Sequence, residues 1–344
     1  MNLGVAYRHV KTIELPGVPL AKFDIGWIDE DSRSYYLADR SNSRVVAIDV
    51  DQAEFSRSLG AGRFSGASAT SGASGPNGVV ALRGTREVWA GDGDSTVKIL
   101  DIDSGDVTDS VATGGESRVD ELAYDPQDGI VLVANDKEPV PFVTLISSTG
   151  NHGILAKIEF PWASKGLHQP VWSPVSGFFY VPVSEVDGRP SAGEITAIDP
   201  RGMTIVARYP IAECQPAGLS LGPDAQLCIG CSRGALVAGF APRSLIMNIL
   251  SGEIVATIKE VGGSDEVWYN SGTGHYYLAA ASMTGGPVLG IVDAETMTWI
   301  QNVPTGEDSR SVAADPRTKR VFVPVIPGAL GPQGGVAVFE LAEQ

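Results

Sequence analysis

The sequence predicts an all-β chain, a single seven-bladed β-propeller domain of four-stranded blades spanning residues 1–344, and three observations lead there. A strand–turn–strand phrase recurs seven times; each copy is followed by a third and usually a fourth apolar strand; and the last copy lacks a fourth strand while a spare one precedes the first. Composition agrees. With 41 glycines, 22 prolines and only 19 % charged residues, the chain suits many short strands and tight turns. Its 43 % hydrophobic content supplies a core and excludes a disordered chain.

The recurring phrase is a small polar loop, a short apolar strand, a D-P or N-G type turn, and a strand rich in Tyr, Phe, Val and Ala. Its copies begin near Phe23, Pro76, Val119, His168, Pro216, Ser264 and Ser309, as in VDELAYDPQDGIVLVAND and SRSVAADPRTKRVFVPVIP. β-Branched and aromatic runs bounded by Gly, Pro, Asn and Asp are the sequence form of strands and their turns. Third and fourth strands are plain in STVKILDID…VTDSVATG and VLGIVDAE…MTWIQNVP. A period of roughly 45 residues with four strands is the blade repeat of a propeller. The last unit ends at GGVAVFEL, so residues 6–15, AYRHVKTIEL, are expected to complete it and cover its open edge.

The strand ends Ile48-Asp49, Leu100-Asp101, Ile198-Asp199 and Val292-Asp293, with the D-P-x-x-G/K turns, resemble those of the YncE-like, lactonase-type and surface-layer-type propellers across nearly the whole chain. The resemblance speaks for fold. Function is carried by sites grafted onto such folds.

A formal net charge of −16, from 41 acidic and 25 basic residues, repels phosphate backbones and anionic lipid. No nucleic-acid or membrane partner is therefore expected, and the chain reads as a monomer acting on a small molecule. Its start, MNLGVAYRHVKTIELPG, has no apolar signal region. As written it reads as cytoplasmic, although the mature form of an exported protein would look the same. Cys214, Cys228 and Cys231 are too few for a disulfide framework, and the C-x-x-C has no partner pair for zinc, so structural thiols are expected. Nucleotide, haem and nucleophile-elbow motifs are absent.

Blade topology sorts the polar residues by face. Loops entering the first strand and loops joining the second to the third share one face, called the top here. The other loops are generic Asp/Pro/Gly turns on the bottom. This puts His152 and His275 at the bottom and His9 on the closing strand. The top entrances hold Asp24, Asn77, Asp120, Glu121, His168, Gln169, Gln215, Asp265, Glu266 and Arg310, and the second set of top loops adds Asp39, Arg40, Asp92, Asn135, Asp136 and Glu185. Polar side chains converging on a channel mouth are a default pocket.

Within that mouth His168 is the natural proton carrier, and Glu121, Asp265 and Arg310 are its expected catalytic companions. Arg310 reads as the one cation among the inner entrances, so the crowded carboxylates call for a bound cation, a counter-charge such as Arg310 or Arg40, or a raised pKa on one member. Oxygen ligands suit Ca²⁺ or Mg²⁺. The resemblance to gluconolactonase-type propellers implies such an ion on the axis, with Asp24, Asn77, Glu121 and Asp265 in the ligand positions. The leading expectation is a lactone or ester hydrolase or a lyase. The alternatives are a non-catalytic ligand- or protein-binding propeller, with Phe23, Trp27, Pro139, Pro141 and Phe142 as a platform near the top, and a cyclase or pericyclase of a natural product.

Overall fold

A computed structural model describes residues 6–342. They form seven four-stranded antiparallel sheets, each ordered from the channel outward, and the inner strands contact one another around a closed ring. Blade 1 comprises Gly26–Asp29, Ser34–Asp39, Arg44–Asp49 and Glu54–Leu59. The inner strands of blades 2 to 7 are Val79–Ala81, Leu122–Asp125, Val171–Trp172, Pro216–Leu221, Val267–Asn270 and Ala313–Ala314. Each begins at or within four residues of the start its repeat copy predicts.

The closing strand forms as expected. Tyr7–Ile13 pairs antiparallel with Gly335–Leu341, with a bulge between His9 and Lys11, and becomes the outer strand of blade 7. Tyr7 also reaches across to blade 6, where its hydroxyl lies 2.8 Å from His275 Nδ1 and 2.7 Å from Tyr277 Oη. The clasp thus joins two blades.

The core is divided into seven apolar clusters, one between each pair of adjacent blades. In blade 1, Val46 and Ile48 face blade 7 while Val45 and Ala47 face blade 2. Second and third strands are therefore buried on both faces, which is why they read as unbroken apolar runs. Outer strands alternate because one face meets water, as in Val107–Ala112. The bottom turns are structural, as expected. Asp29, Asp49, Asp101, Asp199 and Asp293 each accept backbone N–H groups of their own turns.

Glycines let the inner strands crowd the axis. A Cβ on Gly218 would sit 2.7 Å from the Asp265 carbonyl oxygen and from Val267 N. Gly78 likewise has no room for a side chain, and its N–H donates to the Asp120 carbonyl at 2.6 Å.

The cysteines depart from expectation. Cys214 and Cys231 form a disulfide, with sulfurs 2.07 Å apart, rather than remaining thiols. They stand at facing ends of the first two strands of blade 5, where pairing of Pro216 with Cys231 brings them together. A three-residue spacing does turn Cys228 to the opposite face, and it is buried and free between blades 5 and 6. Burial pushes its thiol pKa far up. No helix is long and apolar enough to cross a membrane among the described residues.

Candidate functional site

A cavity of about 610 Å³ opens on the top face. His168, Gln215, Asp265 and Arg310 line it from the inner-strand entrances, and Asp136 and Ser184 from second-to-third strand loops. Four acidic and four basic side chains line it in all, counting Lys137, Lys165 and Arg233 with Arg310, so the cavity is far less acidic than the chain. Its wall beside Ser232 and Arg233 is the start of a short helix, Arg233–Val237, capped by the Ser232 hydroxyl. The Cys214–Cys231 disulfide ties this wall to the Gln215 entrance.

His168, half-buried as a residue, lines the cavity and makes no side-chain hydrogen bond among the described residues. Protein nonetheless surrounds it, and burial lowers its pKa; Asp265 and Asp136 oppose that shift, while Lys137 and Arg118 add to it. The ring is accordingly a neutral base at pH 7. Arg310 donates through Nη2 to the Phe23 carbonyl at 2.9 Å, while its Nε is buried without a hydrogen-bond partner. Burial disfavours the guanidinium charge, but Asp24, Asp308 and Asp265 outweigh it, so Arg310 stays charged.

Beneath the cavity lies a buried ion network in which arginines supply the counter-charge to several of the crowded carboxylates. Arg40 pairs with Asp24 and donates through Nε to Asn77 Oδ1 at 3.0 Å. Arg118 meets Asp120 at 2.6 Å, Asp136 at 3.0 Å and Asp24 at 3.7 Å. Arg310 is therefore not the lone cation at the mouth; Arg40 and Arg118 are buried within it. Burial opposes ionisation of Asp136, but the charge and hydrogen bonds of Arg118, joined by Lys137, hold its pKa at about 2. Asp120 is the strained member. Burial raises its pKa well above the usual range; Arg118 opposes that shift, while the Asp136 and Asp24 charges add to it. Arg118 stands one residue before the Val119 at which the third repeat begins, and that placement hid it.

Of the four residues that the resemblance puts in ligand positions, two are already bound by an arginine and a third is buried. Asp24 and the Asn77 amide oxygen are engaged by Arg40, and Asn77 Nδ2 donates to the Val119 carbonyl at 2.6 Å. Glu121 is buried, and desolvation followed by the nearby Glu266, Asp120, Asp24 and Asp265 charges raises its pKa well above the usual range. Among the described residues no three His, Cys, Asp or Glu side chains are grouped to hold a metal ion.

Most of the remaining expected site residues make hydrogen bonds or ion pairs within the scaffold. Gln169 Oε1 accepts from Leu219 N at 2.9 Å and Val267 N at 3.2 Å, bracing the channel wall. Glu266 accepts from Ser311 Oγ at 2.7 Å and is raised well above the usual range by burial. Asp39 pairs with Arg44 at 2.9 Å, and Asp92 accepts from Ser65 N at 3.0 Å. Asn135 Nδ2 donates to Ser95 Oγ at 3.0 Å, and Glu185 pairs with Lys165 at 2.9 Å on the rim. His152 and His275 lie away from the cavity, bonded to Asp109 at 2.7 Å and Tyr7 at 2.8 Å. Of the apolar platform, Pro139 and Pro141 line the cavity, Phe23 and Phe142 are buried, and Trp27 faces a second cavity at the other end of the channel.

No protein-family model and no curated protein matches this chain. In fold the chain is similar to Kuenenia stuttgartiensis hydrazine synthase, with a TM-score of 0.72 and 15 % identity, over 96 % of this chain and 97 % of that one. At that identity the likeness establishes the propeller fold.

Proposed function

We propose that the upper cavity is the active site of a proton-transfer enzyme, acting without a metal on a small carbonyl- or carboxylate-bearing molecule. The observation that carries this reading is the pairing of a neutral, unbonded His168 with a charged Arg310 in one cavity. In an elimination, His168 takes the proton from the carbon next to the substrate carbonyl. The C–H electron pair moves onto the carbonyl oxygen, where Arg310 stabilises the charge. Collapse of that enolate forms the carbon–carbon double bond and expels the β-substituent with its electron pair; the proton then passes from His168 to the leaving group. Asp265, on the same wall, favours the imidazolium that forms between the two transfers.

The same pair supports lactone or ester hydrolysis as a second reading, which the resemblance to lactonase-type and YncE-like propellers favours. There His168 takes a proton from water, the hydroxide oxygen bonds to the carbonyl carbon, and Arg310 holds the oxyanion until the alkoxide leaves and is protonated by His168.

We also infer an oxidising compartment in place of the cytoplasmic expectation, because the Cys214–Cys231 bond would be reduced in a cytosol.

The experiment is turnover against two panels, β-substituted carboxylic acids and small lactones, followed by proton NMR. His168→Ala and Arg310→Met should each lower kcat/KM by about 10²-fold or more. His152→Ala and His275→Ala should stay within a few-fold. Because burial depresses the His168 pKa, activity should persist below pH 6.5 and fall only when the ring protonates at lower pH. Absence of turnover on both panels, or full activity in His168→Ala, would leave a binding propeller as the reading.

A further inference from the structure

The channel has a second chamber. At its bottom end, opposite His168, a cavity of about 280 Å³ is walled by Trp27, Tyr124, Trp172, Trp268 and Tyr269 from the inner strands of blades 1, 3, 4 and 6. All five are half-buried, so they line the chamber without being lost in the core. Trp27 and Trp268 meet edge to face at 5.2 Å, with their planes 80° apart. In such a contact the ring that supplies its edge keeps both faces clear of its partner. Two of the indoles offer the chamber no donor. Trp172 Nε1 has essentially no accessible surface, and Trp268 Nε1 donates to the Ala314 carbonyl at 3.0 Å. The walls are mainly aromatic carbon.

The charged groups of this chamber do not balance. Glu30 and Arg83, exposed at its mouth, pair with each other at 3.5 Å. Glu121, at the inner end, lines the cavity and makes no ion pair and no side-chain hydrogen bond among the described residues. The charges acting on it most are Glu266, Asp120, Asp24 and Asp265, all of its own sign, while Arg40 and Arg118 are engaged by Asp24, Asp120 and Asp136. Without a counter-charge such neighbours favour the neutral acid; a cation in the chamber supplies one. Aromatic faces attract cations, and a ring of Trp and Tyr suits a quaternary ammonium above all. The chain's net charge of −16 draws cations towards the protein as well. Size narrows the class. A dry cavity of about 150 Å³ accepts benzene, so 280 Å³ admits a trimethylammonium head with a short arm.

We propose that this lower chamber is a binding site, distinct from the His168 cavity, for a small free quaternary ammonium compound. The methylated head packs among Trp27, Trp268 and Tyr269, with the Glu121 carboxylate as its counter-charge at the inner end, and the short arm extends towards the Glu30–Arg83 mouth. A primary ammonium suits the chamber less, because its three N–H donors would meet one carboxylate and otherwise mostly carbon.

Choline and 3,3-dimethylbutan-1-ol are matched probes, since they share shape and hydroxyl and differ in a charged nitrogen against a carbon. Each is titrated to 10 mM into full-length protein labelled with 5-fluorotryptophan, at an ionic strength held constant with sodium chloride, and observed by fluorine NMR. Choline should bind saturably, shifting Trp27, Trp172 and Trp268 while leaving Trp89, Trp162 and Trp299 in place; no tryptophan lines the upper cavity. The neutral alcohol should bind about fivefold more weakly or worse. Glu121→Gln should lower choline affinity about fivefold without changing that for the alcohol, and His168→Ala should change neither. Phosphatidylcholine vesicles, which carry the same head on a lipid, should not co-sediment the protein. Equal affinities in the wild type, shifts confined to the other three tryptophans, no saturation by 10 mM, or unchanged choline affinity in Glu121→Gln would each overturn the proposal. Loss of binding in His168→Ala would do the same by moving the ligand to the upper cavity, as would co-sedimentation by moving its source to a lipid. The two probes compared on wild-type protein decide the matter even if a variant misfolds.

Discussion

Replacing Arg118 with Met removes the cation that three buried carboxylates share while keeping most of the side-chain volume. Asp120 and Asp136 then lose partners at 2.6 and 3.0 Å in a setting where both are almost wholly buried. Removing one member of a buried pair costs about 3–5 kcal/mol, because the remaining charge is left without compensation. Lys137, 2.9 Å from Asp136, softens the loss at that carboxylate. With an unfolding entropy of about 2.1 cal/mol/K per residue, that cost lowers the melting temperature by about 4–7 °C. The pH dependence carries a sharper signature. The folded-state pKa of Asp136, about 2, lies below the ordinary value of 3.8. Its contribution, about 2 kcal/mol, is complete above that ordinary value and disappears as pH falls through 2. The wild type should lose this increment between pH 5 and 2, and Arg118→Met should lose much less. Urea unfolding at pH 7, 5 and 3, for wild type, Arg118→Met, Asp136→Asn and the double variant, measures both effects. The double variant should be more stable than the sum of the two singles predicts, because the two residues share one interaction. Arg118→Met within 1 kcal/mol of wild type at pH 7, or strict additivity, would refute the view that this network neutralises the channel mouth.

Deleting residues 1–15 should strip the outer strand from blade 7 and the Tyr7 contacts from blade 6, producing aggregation or a loss of several kcal/mol in unfolding experiments; a truncated protein that melts like the full chain would refute the clasp. Cys214→Ser should cost about 3 kcal/mol, the scale for a loop of some 15 residues, against a separation of 17 here. Thiol titration of the native protein should find no reactive group, since Cys228 is buried and its thiol pKa strongly raised. Chelator treatment followed by Ca²⁺ or Mg²⁺ should leave the melting temperature unchanged, because Arg40 engages Asp24 and Asn77; a drop with EDTA that either ion reverses would restore the axial-metal reading.

The sorting of residues by face was readable because it depends on strand direction alone. Once Pro76, Val119 and His168 are read as blade starts, alternation of loops dictates that His168, Asp265 and Arg310 share a face from which His152 and His275 are absent. Trp27 lies at the lower cavity and not at the top, because of its position along the strand. It lies four residues past Phe23, far enough along the inner strand to reach the lower chamber. Arg118 carries little repeat signal, since among the corresponding positions in the other copies only Lys22 is basic.

By itself the sequence determined the blade number, the position of each inner strand, the closing role of residues 6–15 and the face on which polar loops gather. All of these follow from local periodicity, in which apolar runs and turn residues repeat about every 45 positions. Only the tertiary structure decided which charges neutralise one another, that Cys214 joins Cys231, and that the channel is divided into an upper polar cavity and a lower aromatic one. Asp24 and Arg310 meet across 286 residues and Gln169 meets Val267 across 98. Such neighbours are brought together by closure of the ring. A local repeat places each side chain at the axis, but which partner it finds there depends on all seven blades at once.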